Sequence, residues 1–310
     1  MKFLSPQLLA AAAVAAVGAF AAPAAFAQGT FTPGTGTGAN CNPGTSSYDS
    51  VTCTVGTVIA TMQAYGFMGT LSSTASTGFA QGRIGDFNTS GFGAYTGSNE
   101  SSTGSNHAFD NVTSGCGTGS GATGGSVALS TANSGCGGSI EALFLDFGTA
   151  KVNLSTVGIG FNGGDADLSV WMWTGTGVAS ISSSTLATGS TTTTGTTAAS
   201  LSGWSLVSNL SLGAAPTSAS TGGTMYSSAF LITTYFGAAS GGLTAGNDSF
   251  KINTFTVNTC AGTLSGGTGG NGASCSTTRV PEPGSLALAG LAMFGVVVTR
   301  RRRLASVVRG

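Results

Sequence analysis

Residues 140–173 read IEALFLDFGTAKVNLSTVGIGFNGGDADLSVWMW, and their apolar positions recur at every second residue. Leu143, Leu145 and Phe147 alternate with polar or smaller side chains. Val152 and Leu154 follow, then Val157, Ile159 and Phe161 at the same spacing. Successive side chains of a strand point to opposite faces, so a period of two predicts strands with one face in a core. Leu168, Val170 and Met172 make the next strand, with Trp171 and Trp173 on its opposite face. The Gly163-Gly164-Asp165 run between them carries turn residues.

The same pattern extends outward from this stretch. Residues 51–68 are rich in β-branched side chains and hold a first strand or two. Trp204 to Val207, Leu210 and Leu212, residues 230–232 and residues 250–257 add further short strands. Helical periodicity is missing throughout. The expected fold is all-β: an antiparallel β-sandwich, jelly-roll-like, with long Gly/Ser/Thr loops. Residues 179–200 and 261–276 are low-complexity and are expected to be loops, as is most of 97–139.

Charge narrows the class. Charged residues make up only 6% of the chain, which contains 52 glycines. Between Gln28 and Val280 there are four basic residues against nine acidic ones, a balance of −5 where the whole chain sums to zero. Such a body has too few cations to neutralise phosphates, which excludes nucleic acid as a partner.

All six cysteines, Cys41, Cys53, Cys116, Cys136, Cys260 and Cys275, lie in that body. An even number at paired spacings reads as a disulfide framework if the chain is exported, as its ends below indicate, and the three local pairs 41–53, 116–136 and 260–275 are the expected connectivity among the roughly fifteen that six cysteines allow. A zinc site would need Cys-x-x-Cys spacing or nearby histidines, and neither is present.

The ends read as addresses. Residues 1–27 join a small basic start at Lys2 to an alanine-dominated apolar stretch and the small-x-small triplet Ala25-Phe26-Ala27. This is a signal helix with signal peptidase cutting between Ala27 and Gln28. At the other end Val280, Pro281, Glu282 and Pro283 precede an apolar run at 286–298 and the stop-transfer cluster Arg300, Arg301, Arg302 and Arg303. The prolines keep the triplet extended and accessible. The run is charge-free, and the arginines stay on the cytoplasmic side. A transmembrane helix over 285–299 is shorter than the roughly 20 residues of an ordinary span, so thinning or snorkelling must accommodate it. The expected division is 1–27, a secreted body over 28–278, and a sorting segment over 279–310.

This tail resembles the PEP-CTERM sorting signal of exosortase substrates in Gram-negative bacteria. The resemblance implies that an exosortase-like membrane protease cuts near the triplet and passes the body outward, so the precursor touches the membrane through its tail. The body is similar to a family of exosortase-dependent surface proteins over roughly residues 100–300. That likeness rests on residues 106–112, 141–147, 163–167, 203–207, 230–235 and 247–251, in that order. It implies a secreted all-β body without an established catalytic activity, placed at the outer surface or in the extracellular matrix.

Candidate chemistry in the body is sparse. His107 is the only histidine; with Asp110 it could serve a serine nucleophile, but no Gly-x-Ser-x-Gly elbow singles one out. Catalytic residues are therefore expected to be none. Asn162, Asp165 and Asp167 form an N-x-x-D-x-D cluster at a loop-to-strand junction, a pattern that gathers oxygens for calcium, with Asp110, Asn111 and Asp146 as further donors. The same residues equally serve to start a strand and satisfy turn amides. Trp171 and Trp173 are candidate glycan contacts if exposed, and core residues if not. The expected function is a non-enzymatic surface or matrix protein among exopolysaccharide in a biofilm. A carbohydrate-binding adhesin module, calcium-dependent or not, is the alternative, and a secreted hydrolase the remote one.

Overall fold

The alternating run at the centre of the chain forms three strands, Glu141–Asp146, Val152–Asn162 and Asp167–Trp173, each in antiparallel pairing. The computed structural model of the protein describes residues 28–32, 40–41, 47–67, 76–86, 90–95, 109–110, 140–162, 165–188, 190–192, 195–213, 217–244, 248–276 and 290–293. The chain divides into a unit spanning Phe26–Ser276 and a second made of Met1–Ala25 with Thr277–Gly310.

Accompanied by three small sheets of two or three strands among the described residues, two large antiparallel sheets frame the body. One runs Thr217–Ser220, Val152–Asn162, Ser249–Thr259, Phe92–Tyr95, Arg83–Asp86, Ser47–Tyr48; Gln28–Phe31 and Phe109–Asp110 also pair with Ser249–Thr259. The other runs Trp204–Ser211, Asp167–Trp173, Ala229–Thr234, Glu141–Asp146, Val58–Phe67, Val51–Val55, with Phe79–Gln81 beside Val58–Phe67. The chain passes repeatedly from one sheet to the other. Both contribute to one buried cluster: Val152, Leu154, Val157, Phe255 and Val257 from the first, Leu143, Leu145, Leu168, Val170 and Phe230 from the second. Burying a Leu, Val or Phe side chain contributes about 1.5–3 kcal/mol, so this shared face is the main adhesive of the fold.

The second sheet is buried on its outer face as well. Phe144, Trp171, Trp204 and Leu231 pack there with Ile181, Leu186, Leu201 and Phe236. That double burial explains why Ala229–Thr234 is buried at every position and opens with four consecutive apolar residues, 229–232. It also corrects the expectation that 179–200 is loop alone. Thr185–Ala187 and Gly195–Thr197 are strands, and the first pairs with Ser200–Leu201 and Ser76–Thr77. Isolated Ile and Leu side chains in a Ser/Thr background draw the segment onto the sheet. Residues 261–276 likewise contain the paired strands Thr263–Ser265 and Ala273–Ser276.

Spacing in Val152–Asn162 has a structural cause. The step from Leu154 to Val157 breaks the period of two, and the register with Ser249–Thr259 shifts between Leu154 and Thr156. An extra residue at a bulge lets both Leu154 and Val157 face inward. Two further shifts, at Gly158/Ile159 and Ile159/Phe161, end the pattern, and Phe161 is only half-buried, with Lys251 Nζ 5.1 Å from its ring centroid.

The cysteine pairs 41–53 and 260–275 are bonded, and no free cysteine occurs among the described residues. Cys116 and Cys136 lie outside them. Cys41–Cys53 ties the segment after Gln28–Phe31 to the Val51–Val55 strand inside the core. Closing a loop of this length contributes about 3 kcal/mol.

In the unit holding the two ends, only 290–293 is described, as a helical turn. Among the described residues no helix is long and apolar enough to cross a membrane. The expected signal helix over 1–27 and most of the expected span over 285–299 lie outside the described residues.

Candidate functional site

Three carboxylates meet where the chain passes from the first sheet to the second. Val152–Asn162 ends in the first sheet and Asp167–Trp173 begins in the second, so the short connection must run along the rim between them. Asp165 lies in that connection and forms an isolated parallel bridge with Asp248, which directly precedes Ser249–Thr259. The Ser249 amide donates to the Asp165 carbonyl at 3.0 Å. Ligand atoms of Asp165, Asp167 and Asp248 all lie within 4.8 Å of one another.

Local hydrogen bonds orient the group. The Asp167 amide donates to Asp248 Oδ1 at 2.8 Å, and the Ala166 amide to Asp165 Oδ1 at 2.9 Å. Thr244 donates twice, from its amide to Asp167 Oδ2 at 2.7 Å and from its hydroxyl to Asp165 Oδ2 at 3.0 Å. Asp167 and Asp248 are fully buried and Asp165 half-buried. The second oxygen of Asp167, Oδ1, is buried with no hydrogen-bond partner. Burial pushes the Asp167 carboxyl above its ordinary range, and the charge of Asp165 adds to this; the Thr244 amide and the Ser211 hydroxyl pull the other way. Several carboxylate oxygens at one point suit a hard cation, which takes six to eight such donors when it is calcium.

The sequence placed Asp165 and Asp167 together, and the structure does too. It supplies Asp248 as the third carboxylate, which pattern reading missed because 81 residues separate it from Asp167. Only its Asn-Asp-Ser setting ahead of a strand hinted at a junction. Asn162 directs its Nδ2 at the Gly213 carbonyl, 2.8 Å away, and so fastens the strand end to the 212–213 loop. Asp146 accepts from the Gly148 amide at 2.8 Å and closes its own turn. Asp110 pairs through its backbone with Ser249, beside Asp248; its side chain, Asn111 and His107 lie outside the described residues.

The tryptophans separate. Trp171 is 2% exposed and stacks on Phe236 at 5.4 Å, with its indole N–H donating to Thr233 Oγ1 at 3.2 Å. It offers no open ring face, so the expected glycan contact at Trp171 is corrected to a core role. Trp173 is half-buried, edge-on to Trp204 at 5.3 Å, and its Nε1 is buried without a partner. Trp204 is itself buried and donates to Ser184 Oγ at 3.0 Å.

Gln28, on the outer side of the expected signal-peptidase cut, opens the Gln28–Phe31 strand and pairs with Asn258. Ala27, the triplet at 280–283 and the arginines at 300–303 lie outside the described residues. Sequence comparison bears on that tail. Residues 279–303 match a family model described as the PEP-CTERM protein-sorting motif. No curated protein and no solved structure matches the chain.

Proposed function

We propose that this is a non-enzymatic surface or matrix protein, exported, trimmed at Ala27/Gln28, and then processed by an exosortase at its C-terminal motif. The PEP-CTERM motif at 279–303 carries the reading. Such a motif implies export and processing at the membrane by an exosortase. The mature body then depends on disulfides and β-pairing, with few charges to give it solubility. A charge-poor, hydroxyl-rich surface suits a place among hydrated exopolysaccharide, as in a biofilm.

Support for a non-enzymatic role comes from the sequence. Its single histidine has no nucleophile elbow to serve. The adhesin alternative, having lost Trp171 to the core, rests on Trp173 alone.

Intact mass spectrometry of the protein from cell surface and medium tests the proposal. Chains that start at Gln28 and end near Pro281 to Pro283 are expected, with any attached group visible as added mass. Chains retaining Arg300 to Gly310 would reject sorting. Deleting residues 281–310 should abolish surface retention.

A further inference from the structure

From the geometry at the rim of the two sheets, we infer that Asp165, Asp167 and Asp248 form a calcium-binding site that fastens the first sheet to the second. The inference does not depend on the sorting proposal.

Three acidic side chains in proximity would not by themselves carry it. The second observation is Asp167 Oδ1, a fully buried carboxylate oxygen in that cluster with no hydrogen-bond partner. An orphaned buried polar atom is costly, and more so when its group is ionised. The backbone already satisfies what it can: Thr244 holds Oδ2 through its amide. The Ser211 hydroxyl, which also favours the ionised carboxyl, leaves Oδ1 without a hydrogen bond, and a proton or a cation would relieve it. A proton on one oxygen would relieve a single carboxyl, whereas a divalent cation relieves several carboxylates at once.

The spacing suits a cation. Two oxygens on opposite sides of a calcium ion, each about 2.4 Å from it, are separated by roughly the 4.8 Å within which these ligand atoms lie. An irregular donor set drawn from a connection, a strand start and a strand lead-in fits calcium, which accepts flexible geometry. Magnesium demands a near-ideal octahedron and keeps its water. Remaining positions on the ion are open to water on the half-buried Asp165 side.

Isothermal titration of calcium chloride into the exported, chelator-stripped protein at neutral pH tests this, with terbium luminescence as an independent probe needing no substitution. Saturable calcium binding, displacement of terbium by calcium, and a melting temperature raised by calcium over chelator are expected. Asp165→Asn, at the half-buried position of the three, should weaken binding by about tenfold or more, with an unchanged circular dichroism spectrum showing that the fold is kept. Asp248→Asn should abolish it. If the unsubstituted protein shows neither saturable binding nor a displaceable terbium signal, the inference falls and a shared proton satisfies Oδ1. Undiminished binding in Asp165→Asn would overturn it equally, by placing the ion elsewhere.

Discussion

The side-chain oxygen of Asn271 accepts a hydrogen bond from the backbone amide of Ser228 at 2.9 Å, across 43 residues of sequence. The same oxygen takes the Ser228 hydroxyl at 3.0 Å and Lys151 Nζ at 2.8 Å, while Asn271 Nδ2 donates to the Gly175 carbonyl at 3.0 Å; the neighbouring Ser227 hydroxyl donates to the Trp173 carbonyl at 2.8 Å. A Gly-rich loop is thereby tied to the body by a buried amide, in addition to the Ala273–Ser276 strand pairing and the Cys260–Cys275 bond that follow it.

Asn271→Ala should therefore cost about 3 kcal/mol, since it strands buried donors as well as removing bonds. A lowered urea midpoint with unchanged slope is the expected result. A change under about 0.5 kcal/mol, the range of ordinary surface substitutions, would mean that water replaces the amide.

Trp171→Ala should cost about 3–5 kcal/mol, as for other large aromatic core truncations, because the ring lies against Phe236 on the covered face of the second sheet. Urea unfolding measures it. A polysaccharide-retention defect with full stability would instead return Trp171 to the surface.

Reduction should be ordered. Cys41 and Cys53 are buried at 0% and 1% exposure, whereas Cys260 and Cys275 are half-exposed. Thiol–disulfide exchange needs access to the sulfur. Under native conditions a mild reductant followed by alkylation should label 260 and 275 before 41 and 53 in peptide mass spectra. Simultaneous labelling would show that global unfolding governs both.

Gly91 has φ of +105°, and a Cβ there would run into the Ile252 carbonyl. Both strain and overlap oppose any side chain, so Gly91→Ala should destabilise by about 1–3 kcal/mol. Thermal unfolding at matched pH checks it. Gly148, also at positive φ but with open space around its would-be Cβ, is the control that isolates the overlap.

Stability should climb and then fall in alkali. Burial lowers the Lys251 ammonium below its ordinary value. Between that lowered value and the unfolded value of about 10.4, the unfolded chain binds more protons, so stability rises with pH. Below that window the cost of burying the charge is fully present. Burial raises the hydroxyls of Tyr65, Tyr226 and Tyr235, with Asp167 adding to the rise at Tyr235. Above about pH 10 the unfolded chain gives up those protons first, and stability declines. Denaturant midpoints from pH 7 to 11 should show the maximum, and Lys251→Met should flatten the rising limb. An unchanged limb in that variant would assign it to Lys151, whose ammonium burial also lowers, partly offset by Asp146.

Strand character was legible because alternation is a local property. Leu143, Leu145, Leu168 and Val170 face the shared core as their spacing predicts, and Trp171 and Trp173 share the opposite face. Which outward face is solvated is not local. Trp171 reads identically whether water or Phe236 covers it, and the covering residues Ile181, Leu186 and Leu201 hide in a Ser/Thr-rich stretch. The bulge at Leu154/Thr156 left a trace as a skipped residue, but only the pairing with Ser249–Thr259 shows why Val157 returns to the core.

By itself the sequence determined the all-β character, the cysteine pairs 41–53 and 260–275, and the sorting motif at 279–303, since each is written in nearby residues. Tertiary structure alone decided that Asp248 joins Asp165 and Asp167, that Thr244 serves them both, and that Asn271 anchors its loop. Those contacts depend on which strand ends the two sheets bring to a common rim, and carboxylates in separate turn motifs carry no mark of their partner until the sheets close.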